Sequence, residues 1–577
     1  MNLSRISKLM LLITIVVLIS NVTVISREYQ DSWVLEGLEI PFTVFVITYA
    51  ITFFLEKRIK HVVALATLFN VVLMLVAVLK YNWFLGVNID QQIQYRLAED
   101  VYSNGYFSTQ YPGVGEIYSA TPLTHLSFAV FSIALNIPLV FSIKFVPVLW
   151  SSMYPLLTYT IMKNLSFSKR RTLVKYALLI SSLPMGTRAA YIVTGGLLGT
   201  LLIFLILCQT VILLQRKNRR HWALLIFFVF ALTIAHSTSS LIIMMLLSTI
   251  WLLQKISART RIKSYFRTPT IFLIIAVSAT WLIFSAPAVL DEIKSAANYM
   301  FILNGKYQAR GFIPYRFFTL VHANFFEAAK SVIVYNGGDA LFLLLTTAGM
   351  IFVLKTRNQS KNNTMKFLFF LNVVSFLFLA IGVLLRIGGF YYTRLLNFAR
   401  ILFPIFSGIF ILHITKDRRW TSVIIFSLIT LFVTPQFYGC QPLIPSANTI
   451  LENLTADEPI VYVVNVNSIY QISMINYASK HINGSIACDQ VTTNQIMGLT
   501  RSNFSRLLTR YYPLSKLLDE NITEIEYDYF LIHLPGKAGA FQEKAEIRTK
   551  SLILGVINNS TNNLVYSNGE SYIFATY

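Results

Sequence analysis

Charge is what this sequence has least of. Asp, Glu, Lys and Arg make up 13% of its 577 residues, about half the share found in an ordinary soluble domain. With 55% hydrophobic residues and a mean hydropathy of +0.60, the chain is excluded from the soluble globular class. Cysteine is nearly absent, and three residues cannot build a disulfide scaffold. Cys208 lies in an apolar run; Cys440 and Cys488 fall in the C-terminal region, where they could pair if that region faces an oxidising space. A cleavage site is lacking too. Arg5 and Lys8 precede the apolar stretch Leu11 to Ile25, as in a signal peptide, but no small-residue A-x-A site follows and two more apolar segments come at once. The stretch is read as a first, uncleaved span. No internal repeat stands out.

What the chain has in quantity is long apolar runs. A membrane span needs about 20 mostly apolar residues, and thirteen segments fit: 7–26, 39–55, 61–80, 140–162, 172–187, 192–215, 221–235, 237–254, 269–287, 337–355, 365–386, 396–414 and 419–437. With the N-terminus inside and the segments alternating, the inner connections include "EKRIK" (56–60), "QRKNRR" (215–220) and "KDRR" (416–419). Together with Arg5 and Lys8 the inner side holds 26 Lys/Arg and two acids, Glu56 and Asp417, while the outer side up to residue 439 holds 13 bases and 12 acids. That asymmetry is the positive-inside pattern, so the expected topology is N-inside and C-outside. It also accounts for the net charge of +22 without a nucleic-acid partner. The apolar stretch 122–135 is short and stopped by Asn136–Ile137–Pro138. Counting it as a span would turn "SKRR" outward, so it is read as an interfacial or re-entrant helix.

The expected architecture is therefore an α-helical polytopic membrane protein with about 13 transmembrane helices. Its membrane domain covers 1–438, with outer loops at 81–139 and 288–336, and a small extracytoplasmic α/β domain covers 439–577. In that last part "IVYVVNV" and "YDYFLIHL" read as buried strands, "YQISMINYASKHI" as a helix, and "NLVYSNGESYIFATY" as a hairpin turning at Asn568–Gly569. Six N-x-S/T sites there, at Asn453, Asn483, Asn503, Asn521, Asn558 and Asn559, suit an outward surface.

Chemistry-bearing residues gather on the expected outer side. Asp90 stands ten residues beyond the apolar end at Lys80, close to the membrane face, where a carboxylate can take a proton from an acceptor hydroxyl. In a helix, Asp100 falls on a similar face to Asp90, and Glu99 about 180° away. Asp90 and Asp100 could converge on a divalent cation, magnesium or manganese, or act as a base with its electrostatic partner. The plainer alternative is a charged helix face with Arg96 neutralising Glu99 or Asp100. Glu116, beyond a Gly/Pro turn, has no assigned role. His236, in "LTIAHSTSSLIIMML", sits at an outward tip between two short apolar helices. It could bind a substrate group, a metal or a phosphate, or simply cap backbone groups at a helix break. His125 and His322 carry a weaker signal. Arg386, Arg394 and Arg400, in "RIGGFYYTRLLNFARILFP", and Arg188, in "PMGTRAAYIVTGG", lie at an outward membrane edge. There a guanidinium fork would meet a lipid-linked phosphate. Snorkelling to headgroups explains one such arginine but explains Arg400 poorly, because it enters the span.

The segments "GVNIDQQIQYRLAEDVYSNGYF" (86–107), "AHSTSS" (235–240), "YYTRLLNFARILFP" (391–404) and "VYSNGESYIF" (565–574), with an acidic outer loop after an early span, resemble the GT-C superfamily of membrane glycosyltransferases. The archaeal relatives of the dolichyl-phosphate-mannose protein mannosyltransferases are particularly similar. The resemblance implies a polyprenyl-phosphate-linked sugar donor, catalysis outside the cytoplasm, and an acid of the first outer loop as base or metal-site residue, here Asp90. Related loops often read Gly-x-Asp, and Asn88 holds that Asp position. The tail has no "WWD" tripeptide, which argues against an oligosaccharyltransferase that recognises sequons. The expected function is transfer of a sugar to a protein, lipid or glycan acceptor at the cell membrane, with Asp90 as base supported by Asp100 or Glu99. Two rivals are a secondary transporter or lipid-linked-sugar flippase, which would favour internal repeats and midplane charges, and a non-catalytic envelope scaffold.

Overall fold

The computed structural model describes residues 3–28, 38–80, 89–105, 121–165, 171–183, 195–215, 219–256, 268–285, 325–355, 363–384, 389–415 and 418–437, together with short stretches of the C-terminal region between 477 and 576. Helices dominate. In chain order they are α1 (Leu3–Glu28), α2 (Glu39–Leu55), α3 (Ile59–Lys80), α4 (Ile89–Asn104), α5 (Leu123–Leu135), α6 (Leu139–Asn164), α7 (Arg171–Ser182), α8 (Gly195–Gln215), α9 (Arg219–Ala235), α10 (Ser237–Ile256), α11 (Thr268–Ser285), α12 (Phe325–Lys355), α13 (Asn363–Leu384), α14 (Gly389–Thr415) and α15 (Arg419–Phe437). Each of the thirteen apolar segments is helical over its described residues, save for Leu183 just past the end of α7. Among the described residues four helices, α1, α3, α6 and α8, are long and apolar enough to cross a bilayer by length and composition. The protein is a helical membrane protein.

Local chemistry sets the boundaries. α2 stops at Glu56, whose N–H still bonds Thr52 O at 3.1 Å while its backbone turns extended. The same residue starts α3, because its Oε1 accepts the Lys57 and Arg58 N–H groups at 3.0 and 2.9 Å, satisfying donors that a helix start leaves open. α5 ends on Asn136 in the left-handed region (φ 51°, ψ 47°), with the Ile137 N–H reaching back to Ser132 O at 3.1 Å. This is a Schellman-type stop, and Pro138 after it prevents the helix from continuing. One departure concerns the second loop: α12 begins at Phe325 rather than near 337, as "EAAKSV" carries good helix formers despite its polarity.

Several ties gather the lysine- and arginine-rich helix ends at one end of the bundle. Lys8 of α1 pairs with Glu56, and Thr52 Oγ1 donates to Ser7 O at 3.0 Å. Lys175 of α7 donates to the carbonyls of Phe54 and Glu56 at 3.2 and 2.7 Å, closing the C-terminus of α2. Tyr176 OH bonds Thr415 Oγ1 at 2.7 Å and also Ser422, joining α7 to α14 and α15. We call this the basic end.

Between the ends, helices pack through stacked rings and close backbone approach. Tyr49 stacks on Phe69 at 3.9 Å between centroids, and Phe45 on the same ring at 5.3 Å, bringing α2 against α3. Gly349 of α12 lies against the backbone of Phe406 in α14. Lipid is as apolar as a helix face, so such fits rather than hydrophobic exclusion hold membrane helices together.

Among the described residues of the C-terminal region five strands form a mixed sheet in the order β2-β1-β3-β5-β4: β1 (Ile486–Cys488), β2 (Leu508–Tyr511), β3 (Tyr529–His533), β4 (Asn562–Ser567) and β5 (Ser571–Thr576). β1 runs parallel to β2 and β3, and β5 antiparallel to β3 and β4. The strand expected in "YDYFLIHL" is β3, and the expected closing hairpin is β4–β5. "IVYVVNV", the Asn568–Gly569 turn and Cys440 lie outside the described residues, and the helix expected at 470–482 is described as helical only at 477–478 and 481.

Candidate functional site

α4 follows α3 at the end of the bundle opposite the basic one. Among its described side chains Gln94, Leu97, Ala98 and Val101 are buried, spaced i, i+3, i+4 and i+7 as one helical face. That face packs on α5 and α6, where Ala98, Phe128, Leu139, Ile143 and Val146 form a compact cluster. Glu99 is exposed and Asp100 half-buried. Tyr95 shares a hydrogen bond with Glu99, and burial together with the Glu99 charge pushes its hydroxyl up to about 12.

Asp90 is the second residue of α4; its backbone is helical and its side chain lies outside the described part. The helix runs unbroken from Ile89 to Asn104, so Asp90 and Asp100 are separated by ~15 Å along its axis. Ligand oxygens sit about 2.0–2.6 Å from a magnesium or calcium ion, so these two carboxylates cannot hold one cation between them. The expected convergence of Asp90 with Asp100 is thus corrected. Helical phase alone suggested it, and the axial rise overrules it. Among the described residues no three His, Cys, Asp or Glu side chains come together as a metal site.

His236 forms a junction without a loop. Its N–H bonds Leu232 O at 2.8 Å, completing α9, and its carbonyl accepts the Ser240 N–H at 3.1 Å, starting α10. Its Nδ1 accepts the Ser239 N–H at 3.1 Å and lies 2.8 Å from Ser239 Oγ, so the capping alternative is realised. A ring nitrogen that accepts from an amide carries no proton, which puts the proton of the neutral ring on Nε2. Gly199 of α8 makes room for this ring: a Cβ there would sit 3.0 Å from His236 Cβ and 3.0 Å from Ser239 Oγ. Below the junction Thr233, Ser240 and Ser278 exchange hydroxyl bonds of 2.9, 3.1 and 3.2 Å, joining α9, α10 and α11.

Two consecutive residues of α5 bring these elements together. His125 Nδ1 lies 3.2 Å from Gln94 Oε1 of α4, both groups buried. Thr124 Oγ1 donates to Ala235 O at 3.4 Å, the residue before His236. The first turn of α5 is thereby fastened to the acidic helix on one side and to the His236 junction on the other. Neither Gln94 nor Thr124 announces itself in the sequence; a Thr-His pair in the first turn of an apolar helix is the only trace.

Arg394 and Arg400 lie on α14, with their side chains outside the described part. Counting from Thr415 at the basic end, Arg400 stands ~22 Å and Arg394 ~31 Å along the helix, and His236 stands ~25 Å from Arg219. α10 and α14 touch, so the elements bearing His236 and Arg400 are neighbours. Arg188, Arg386, Glu116 and His322 fall outside the described residues.

No family model matches this sequence, and no curated protein matches it significantly. Solved structures do. The oligosaccharyltransferase AglB of Archaeoglobus fulgidus, in complex with an inhibitory peptide and a dolichol-phosphate, matches 90% of this chain and 74% of its own with 11% identity and a TM-score of 0.52. ArnT of Cupriavidus metallidurans, bound to undecaprenyl phosphate, matches 88% of this chain and 97% of its own with 9% identity and a TM-score of 0.47. The mycobacterial arabinofuranosyltransferase AftD matches 90% of this chain and 40% of its own with 12% identity and a TM-score of 0.46. At these identities the likeness is one of fold, and the AglB comparison carries it. The fold of this chain is similar to that of AglB.

Proposed function

We propose that this protein is a GT-C glycosyltransferase of the cell membrane, acting on the extracytoplasmic face. It moves a sugar from a polyprenyl-phosphate carrier to a hydroxyl of a glycan, lipid or protein acceptor. The observation that carries this reading is the AglB-like fold over 90% of the chain, with the acidic helix α4 and the His236 junction fastened together at one end of the bundle. AglB itself was captured with a dolichol-phosphate, and a carrier of that class suits this chain's arginines. The Lys/Arg bias of the inner connections supports thirteen spans with the N-terminus inside. The sheet of 439–577 then forms an outer α/β domain that docks the acceptor or covers the site.

In this mechanism Asp90 takes the proton of the acceptor hydroxyl as its oxygen bonds the sugar's anomeric carbon. The bond from that carbon to the phosphate oxygen breaks, and polyprenyl phosphate leaves with the electron pair. Arg394 and Arg400 meet the phosphate charge, a role that Arg386 and Arg188 share in this reading, and the His236 Nε2–H adds a hydrogen bond. Glu99 and Asp100, at the far end of α4, stand too distant to share Asp90's proton. No step is routed through a divalent cation, since Asp90 and Asp100 cannot hold one jointly.

Membranes containing the protein and supplied with labelled polyprenyl-phosphate sugars provide the test. Asp90→Asn should cut transfer by about a hundredfold or more at unchanged protein level. Full transfer by that variant would overturn Asp90 as the base, and no transfer by the wild type from any carrier sugar would overturn the function.

A further inference from the structure

We propose that His125 is a positioning residue, a latch that sets the place of Asp90 through Gln94 while its neighbour Thr124 holds the same turn of α5 to the His236 junction. The inference rests on the glycosyltransferase reading for its catalytic consequence, though not for its geometry.

Gln94 stands one helical turn after Asp90, and residues four apart lie one above the other. Fixing Gln94 therefore fixes the backbone from which Asp90 projects, at the N-terminal turn of α4 where a helix otherwise frays. Both latch partners are buried, at 1% exposure for Gln94 and 0% for His125. A buried amide oxygen needs a donor, and the imidazole Nδ1–H 3.2 Å away supplies it. Burial holds the His125 pKa down at about 3, so the ring stays neutral and the latch persists at physiological pH. Thr124 and His125 are adjacent in one turn, so α4 and the α9–α10 junction are referenced to the same rigid piece of backbone. A base must sit within hydrogen-bond reach of the proton it abstracts, and a displacement of about 1 Å at such a site costs up to about a hundredfold in rate.

Three variants in the full-length protein test the latch. His125→Leu removes the donor; His125→Asn restores an N–H at the same bond count from the backbone; Gln94→Leu removes the acceptor. Expected for His125→Leu and Gln94→Leu is a fall in kcat of about tenfold to a hundredfold with the KM for the lipid donor unchanged. The double variant should be no worse than either single one, and His125→Asn should recover most of the rate. Amide hydrogen exchange over residues 89–104, read without substrate, should accelerate in His125→Leu and return towards wild type in His125→Asn. Unchanged exchange in His125→Leu, or a rate loss that His125→Asn leaves in place, overturns the latch. If wild type transfers no sugar while exchange follows the expected pattern, the glycosyltransferase reading falls and the latch stands.

Discussion

Gly349 shows how little room one side chain has in this bundle. A Cβ at that position would overlap Phe406 O and lie 2.7 Å from its carbonyl carbon, and backbone atoms inside a helix cannot swing aside. Gly349→Ala should push α12 off α14 and destabilise by about 3 kcal/mol or more, at or above the usual range for overpacking, read as a lower unfolding temperature in detergent. Glu56 shows the electrostatic counterpart. Burial raises its pKa, but the Lys8 hydrogen bond and charge, the Arg58 N–H and His61 outweigh it and bring the carboxyl from 4.5 down to about 2. A depressed folded pKa stabilises above the unfolded value and is lost as pH falls through the folded one. Glu56→Gln should therefore lower the unfolding temperature at neutral pH, and its gap from wild type should shrink as pH falls from about 4.5 to about 2. At this scale the sequence was least informative. Glu56 stood out only as one of two acids on the basic side, and Gln94 was one glutamine among three in "QQIQ". Its pairing with His125, thirty-one residues on, leaves no periodic mark.

Helices were far more legible than contacts. α2 and α15 have the bounds expected from hydropathy residue for residue, because apolar runs between charged connections leave the backbone no other way to satisfy its hydrogen bonds in lipid. α14 begins seven residues before its expected start, and α12 twelve; in α12 the helix formers of "EAAK" extend the helix beyond the apolar stretch that reveals it, whereas "GFYYTRL" at the start of α14 holds no such run. The Asp90–Asp100 pairing failed for a related reason: helical phase is visible in a sequence, while axial distance matters only once the helix is known to be continuous. Between α9, α10 and α11 the hydroxyls of Thr233, Ser240 and Ser278 form a buried triad. Hydrogen bonds between membrane helices average about 0.6 kcal/mol. Ser278→Ala should lower stability by an amount of that order, and adding Thr233→Val should cost less than twice as much, as partners in one cluster couple.

Across the whole molecule, the membrane class was readable in the apolar runs, and the fold expected from the glycosyltransferase resemblance agrees with the similarity to AglB. The C-terminal sheet was half readable: β3 and the β4–β5 hairpin follow alternating or apolar runs, whereas β1 and β2, three and four residues long, are too short for periodicity to register. Bundle dimensions bear on how a lipid substrate arrives. α9 has 17 residues, which rise ~25 Å, short of the ~30 Å hydrocarbon core of a typical bilayer. With its end turning directly into α10 at His236, no loop extends it to the surface. A bilayer meets such a mismatch by thinning locally. In the proposed orientation the outer leaflet would dimple over His236 and carry its headgroup plane down to the ring. Transfer by the reconstituted protein should accordingly be faster in short-chain than in long-chain lipids, with a lower KM for the carrier. The membrane would then act as part of the binding site, a floor that sinks to deliver a phosphate the protein need not drag into oil.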